Sequence, residues 1–205
     1  MCIRDRLHSV DYTKIGLEDY GKPGNYVARQ VSRWSKQYRA SETDNIEAMN
    51  NLIEWLPKNI PDDDETTIVH GDYRLDNMIL RNNEVIGILD WELSTLGHPI
   101  ADFSYHCLSW RTQEAFWDEA KLKELGIPSE KEYMEMYCKY SGKDLSKNWE
   151  FYMAFNMFKI AGILQGILGR VRDGTAASKH AEERGNMVFP LSEAAWSTIE
   201  ENFLK

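Results

Sequence analysis

The sequence predicts an α+β fold, mainly helical, with a small β-hairpin set among the helices. Three observations carry that expectation. Apolar residues recur at helical spacing before residue 57, short β-branched runs occupy residues 66–89, and helical texture resumes at Pro99.

Residues 9–25 are rich in Gly, Asp and Tyr, and Gly21-Lys22-Pro23-Gly24-Asn25 reads as a turn that launches a helix. Val27, Val31, Trp34 and Tyr38 then fall on one helical face. Arg29, Arg33 and Lys36 share another face, which reads either as a solvated stripe or as a contact surface for an anionic substrate or partner. Ser41 and Asp44 resemble a capping box for a next helix that carries Ile46, Met49, Leu52, Ile53 and Leu56 and ends at Pro57. The acidic stretch Pro61 to Glu65 reads as a connector. Thr66-Thr67-Ile68-Val69 is a short strand. Met78-Ile79-Leu80 and Val85-Ile86-Gly87-Ile88-Leu89 are two more, joined through Asn82-Asn83 as a hairpin. Beyond them, helices are expected over 99–109, 130–141, about 147–172 and about 176–204.

The composition, 42% hydrophobic and 28% charged with 7 Trp and 10 Tyr, is that of a chain able to bury a core. A net charge of -9 disfavours nucleic acid and anionic lipid as partners. Cys2, Cys107 and Cys138 are odd in number and far apart, which fits neither a disulfide framework nor a zinc site. A reducing, cytoplasmic setting is the expectation. The most apolar stretch, Phe151 to Gly169, is interrupted by Lys159 and Gln165 and reads as a buried helix, not a membrane span. No apolar signal-peptide core opens the chain. Met1 to Arg6 carries no pattern that can be placed, with read-through or an assembly scar as one reading of it.

The chemistry-bearing block is His70-Gly71-Asp72-Tyr73-Arg74-Leu75-Asp76-Asn77, followed by Leu89-Asp90-Trp91-Glu92. Asp72 and Asn77 stand in a D-x-x-x-x-N relation on a loop between strands, and the hairpin returns Asp90 to that loop. Phosphoryl transfer needs such a set. One carboxylate must orient the attacking hydroxyl and take its proton. A second carboxylate and an amide oxygen must hold Mg²⁺ against nucleotide phosphates. Protein kinases arrange H-R-D-x-x-x-x-N before D-F-G, and here H-G-D-x-x-x-x-N precedes D-W-E. A bare D-x-x-x-x-N is common, so the joint pattern carries the weight.

His70 to Asn77, Ile88 to Glu92, and Gly97-His98-Pro99-Ile100-Ala101-Asp102-Phe103 resemble the aminoglycoside phosphotransferase and choline kinase superfamily. Its fold is similar to that of protein kinases. More narrowly, H-G-D-Y-R-L-D-N, L-D-W-E-L-S-T-L-G-H-P and Gly162-Ile163-Leu164-Gln165-Gly166-Ile167 look like one branch. That branch is the phosphotransferase domain fused to, or encoded beside, acyl-CoA dehydrogenases. Gly24-Asn25-Tyr26, Arg33-Trp34 and Gln37-Tyr38 fit the same branch.

The resemblance implies a kinase-like C-terminal catalytic lobe over residues 7–205, truncated, with residues 1–6 outside it. It implies Asp72 as catalytic base, Asn77 and Asp90 as the Mg²⁺ ligands that bind the cofactor, and ATP as phosphoryl donor. His70 and Asp102 would support the catalytic loop. Arg74 and Asp76 would meet substrate or hold the loop by ion pairing, and Glu92 would approach the metal through water. A full member would open with a β-rich lobe carrying a nucleotide-phosphate loop and a Lys. No such Gly-rich loop or Lys-bearing strand precedes the motif, so the chain alone is expected to bind ATP poorly.

The branch implies a hydroxyacyl-CoA or related hydroxy acid as acceptor, and an acyl-CoA dehydrogenase as partner or fused domain. Phe151, Tyr152, Phe155, Phe158, Ile163 and Ile167 read as core packing or as the wall of an apolar pocket. Arg170 and Arg172, with the basic stripe at Arg29, are candidates for a CoA phosphate. Two other classes stay open. One is an inactive lobe that binds a metabolite or partner. The other is a metal hydrolase on His70, Asp72 and Asp90, which has too few histidines nearby.

Overall fold

The computed structural model describes residues 3–82, 84–112, 119–145 and 147–205. In chain order the elements are α1 (Ile3–His8), α2 (Tyr26–Ser41), α3 (Glu47–Trp55), β1 (Thr67–Val69), β2 (Met78–Arg81), β3 (Glu84–Ile88) and β4 (Thr95–Gly97), followed by helices. Those are α4 (Pro99–Cys107), α5 (Ser109–Thr112), α6 (Glu119–Glu124), α7 (Glu130–Ser141), α8 (Trp149–Arg172), α9 (Ala181–Asn186) and α10 (Val188–Phe203). The fold is the expected α+β arrangement, helical with small antiparallel strand pairs. The chain divides into two compact units, one of Met1–Tyr26 and Asp63–Trp149, the other of Val27–Asp62 and Glu150–Lys205.

The second unit is helical. The predicted face of α2 is the buried one, with Val27, Val31, Trp34 and Tyr38 all buried. Met49 and Leu52 of α3 and Leu56 just beyond it are fully enclosed, each such side chain contributing roughly 1.5–3 kcal/mol by leaving water. Pro57 closes α3 as expected, inside a 3-10 turn over Leu56–Lys58. Val188, Leu191, Ala195 and Ile199 recur at helical spacing on α10, which packs against α3. Residues 151–159 of α8 are buried in unbroken succession, Phe151, Tyr152, Phe155 and Phe158 together with the polar Asn156 and Lys159. Ile163 is exposed and Ile167 half-buried, so core packing accounts for the first four of the six residues. By length and composition α8 could cross a membrane, yet 72% of its most apolar window is buried in the protein, as in a core helix.

The Gly-Ile-Leu-Gln-Gly-Ile motif has a packing role in this unit. Gln165 is fully buried and its amide donates to the Ser41 carbonyl at 2.7 Å and to Thr43 Oγ1 at 3.0 Å. One turn on, a Cβ at Gly169 would lie 2.9 Å from Ser41 Cβ, so the backbones of α8 and α2 meet at a glycine. The capping box expected from Ser41 and Asp44 is absent. Ser41 is the last residue of α2, its hydroxyl donates back to the Gln37 carbonyl at 2.8 Å, and α3 begins only at Glu47 with Ile46 as an uncapped N-cap. The helix simply runs one turn further than the capping signal implied.

The first unit holds the strands. β2 and β3 form the predicted hairpin, Met78 opposite Ile88 and Arg81 opposite Glu84, with a bulge between Ile79 and Leu80. Asn82 takes a left-handed turn conformation, φ 51°, while Asn83 lies outside the described residues. An unexpected strand, β4, pairs antiparallel with β1, Thr67 opposite Gly97 and Val69 opposite Thr95. Three residues ending in Gly carry too little alternation to announce a strand. The turn region before α2 is tied to the start of β1, Gly24 N–H donating to Thr66 Oγ1 (3.1 Å) and Asn25 N–H to Asp64 Oδ1 (2.8 Å). α7 is stopped at both ends. A reciprocal Ser129/Glu132 capping box opens it, and Gly142 closes it in the left-handed conformation. Tyr137 of α7 stacks on Phe103 of α4 at 3.9 Å between centroids. Residues 3–6, expected to carry no pattern, belong to α1, which packs against β1 and α7.

Candidate active site

The strand β1 ends at Val69, and the next three residues turn sharply because Gly71 adopts φ 85°. A Cβ at Gly71 would sit 2.6 Å from the Leu93 carbonyl oxygen, so this position excludes any side chain twice, by conformation and by space. Gly71→Ala should cost at least about 1–3 kcal/mol, the usual penalty for a forced backbone region. Urea unfolding of that variant is the check, with a lowered midpoint at unchanged slope expected.

Asp102, one turn into α4, holds the turn from behind. Its Oδ1 accepts from Gly71 N–H at 2.7 Å and its Oδ2 from His70 N–H at 3.3 Å, all within a buried setting. His8 Nε2 also contacts Oδ2, at 3.1 Å. His70 works from the front. Its Nε2 meets the Leu89 carbonyl at 2.9 Å, and a carbonyl only accepts, so Nε2 carries the proton. Nδ1 is then the acceptor for the Asp72 amide, at 3.3 Å. One imidazole thereby spans the backbone of Asp72 and that of the residue before Asp90. Trp91 leans on the same ring at 4.8 Å.

The Asp72 carboxylate is gripped at both oxygens. Tyr105 Oη donates to Oδ1 at 2.8 Å, and Asn77 Nδ2 donates to Oδ2 at 3.1 Å. Asn77 Nδ2 also donates to the Asp72 carbonyl at 2.9 Å. Both partners of that nitrogen are acceptors, which fixes the amide's orientation and leaves its oxygen as the acceptor end of the side chain. Burial first, and then the bond to Asp72, push the Tyr105 phenol well above its usual range, so it stays a donor. Asp90 follows β3 in the left-handed region, φ 64°, an uncommon conformation for a residue with a side chain. Leu89 N–H donates to the Asn77 carbonyl at 2.8 Å, which sets the Asp90 backbone beside the loop. Asp90 and Glu92 are exposed, Glu92 lying in a 3-10 turn over Trp91–Leu93.

Arg74 and Asp76 are exposed and paired to each other, Arg74 Nε reaching Asp76 Oδ2 at 2.9 Å and its terminal nitrogen closer still. That pairing raises the Arg74 pKa. Among the described residues no group of three or more His, Cys, Asp or Glu side chains could hold a metal ion.

Residues 4–137 match the family model for the phosphotransferase enzyme family. The chain belongs to this family. The phosphotransferase chain is 50% identical to a crystal structure from Ralstonia eutropha provisionally described as an aminoglycoside phosphotransferase, with a TM-score of 0.91 over 97% of this chain and 63% of that one. It is 46% identical over 198 residues to mouse acyl-CoA dehydrogenase family member 10, covering 93% of this chain and 18% of the relative. Human acyl-CoA dehydrogenase family member 11 is 40% identical over 205 residues, covering 97% of this chain and 26% of the relative. In those relatives the phosphotransferase segment is one part of a larger protein.

Sequence reading missed Tyr105 and His8. Tyr105 was detectable in principle, standing three residues after Asp102 and so near it on the same helix. His8 lies 94 residues from its partner and had no local signal. Tyr105→Phe keeps the ring and removes the donor to a charged oxygen, an interaction worth about 1.5–3 kcal/mol. Phosphotransferase turnover should fall roughly tenfold or more, with substrate KM little changed, in a steady-state assay.

Proposed function

We propose that this protein transfers the γ-phosphoryl group of ATP to a hydroxyl of a small molecule, with Asp72 as the base. The observation that carries the reading is the two-sided grip on Asp72, from Tyr105 at 2.8 Å and Asn77 at 3.1 Å. A carboxylate held so is ready to orient a hydroxyl and accept its proton as the new P–O bond forms and the bond to ADP breaks. Asn77 and Asp90 fit Mg²⁺. They offer one amide oxygen and one carboxylate, hard donors too few for a protein cage but suited to an ion that keeps water and phosphate ligands. Bound there, the ion would neutralise charge on the phosphate oxygens. His70 and Asp102 keep the loop in register from either side, and Glu92 would act on the metal's water.

The acceptor we propose is a hydroxyacyl-CoA or a hydroxy acid. Support comes from the relatives named as acyl-CoA dehydrogenase family members, and from exposed Leu75, Leu89, Trp91 and Leu93, which lie within a few residues of Asp72 and Asp90 in the sequence. We propose an acyl-CoA dehydrogenase as fused domain or partner, a reading the same relatives support. The test is ATP- and Mg²⁺-dependent phosphorylation by the full-length protein across hydroxyacyl-CoAs, free hydroxy acids, choline-like alcohols and aminosugars. Selective turnover of the first two classes is expected. Turnover confined to aminosugars overturns the acceptor, and turnover of none overturns the reaction.

A further inference from the structure

We propose that His8 is a positioning residue for the catalytic loop, acting through Asp102. The inference rests on the reading of Asp72 as base. His8 sits at the end of α1, its side chain fully buried, and Nε2 lies 3.1 Å from Asp102 Oδ2. The same carboxylate receives the His70 and Gly71 amides at 3.3 and 2.7 Å, one residue from Asp72. On its other side His8 Nδ1 meets Tyr137 Oη at 2.7 Å, the two rings edge to face at 5.9 Å.

The donor pattern is self-consistent. A carboxylate that takes two backbone N–H bonds is stabilised as the anion, so His8 Nε2 must donate to it. In the neutral ring Nδ1 is then the acceptor of the hydrogen bond that the Tyr137 hydroxyl donates. The hydrogen bonds run one way, from Tyr137 to His8 to Asp102, and the Asp102 oxygens end the chain on the loop amides. α7, which supplies Tyr137, is itself capped at both ends and stacked on α4. The carboxylate is therefore held from a rigid side.

The loop needs such a hold. Gly71 is in a region with φ 85°, and the Leu93 carbonyl fills the place of a side chain, so small movements of Asp102 are passed to Asp72 with little room to relax. Losing the His8 donor removes the shorter of the two hydrogen bonds on Asp102 Oδ2 described above. A displaced base, not a lost binding contact, is the consequence. An error in placement of the order of 1 Å costs up to about a hundredfold in rate.

The experiment uses the full-length protein with His8→Phe, His8→Gln and Tyr137→Phe. Amide hydrogen exchange at His70 and Gly71 is measured against amides in α8, alongside kcat and KM. In His8→Phe we expect exchange at His70 and Gly71 to quicken selectively and kcat to fall up to about a hundredfold at nearly unchanged KM. His8→Gln, whose amide can still donate to Asp102, should restore much of both. Where His8→Phe does not fold, Tyr137→Phe is read in its place: it removes the bond on His8 Nδ1 that sets the ring's orientation toward Asp102, and a smaller selective rise in exchange at His70 and Gly71 is expected. Exchange at His70 and Gly71 that is unchanged, or that rises only in step with α8, overturns the proposal. Selective exchange in a protein whose wild type transfers no phosphate upholds the positional link and counts against the reaction itself.

Discussion

Asp72→Asn should lower phosphoryl transfer by about 10²–10⁴-fold, the range for loss of a positioned general base. The substitution is isosteric, so the fold should be kept, with stability lowered by roughly 1–3 kcal/mol for the donor it leaves without an acceptor. The new side chain conflicts with its surroundings in a specific way. Asn77 and Tyr105 both donate to the present carboxylate, and an amide can accept on one end only. Either the NH₂ group faces a donor or Asn77 turns over. The second outcome would take its oxygen away from the metal side, so a raised Mg²⁺ requirement should accompany the fall in kcat. Initial-rate measurements across a Mg²⁺ series check both effects together.

Asp90→Asn should act mainly through the metal. The backbone at Asp90 has φ 64°, a conformation that Asn adopts readily, so the variant removes charge without adding strain. The Mg²⁺ concentration for half-maximal turnover should rise at least about ten- to a hundredfold, the loss typical when even an outer partner of a metal ligand is removed. Asp90→Ala should be worse, adding roughly 1–2 kcal/mol for a Cβ held in the left-handed region without a compensating side chain. A Mg²⁺ titration of the two variants, read beside their unfolding curves, separates charge from strain. Equal Mg²⁺ dependence in wild type and Asp90→Asn would remove Asp90 from the metal site.

Much of this fold is legible in the sequence because its periodicities are strong. The faces of α2 and α3, the hairpin and the long buried helix all follow from spacing of apolar residues, and the H-G-D-x-x-x-x-N block lies on a loop between strands as expected. What spacing did not reveal has a physical reason in each case. β4 is three residues long and takes its register from β1, a non-local partner. Ser41 carried a capping signature, but its hydroxyl is spent inside α2. Gln165, legible as a polar interruption of an apolar stretch and as part of a family motif, clamps the end of α2 from the far side of the sequence. At the site, the residues on the motif were readable, while Tyr105 and His8 reach it from other elements. Tyr105 had its spacing from Asp102 as a faint signal, whereas His8, brought in by tertiary packing, leaves no mark at short range.

The direct test of the central claim is transfer of labelled γ-phosphate from ATP to an acceptor hydroxyl by the full-length protein, compared with Asp72→Asn and Asp90→Asn at low and at high Mg²⁺ with ATP saturating. The account predicts product with the wild type, near-complete loss in Asp72→Asn, and loss in Asp90→Asn that high Mg²⁺ relieves in part. Product formed at the wild-type rate by both variants would contradict it.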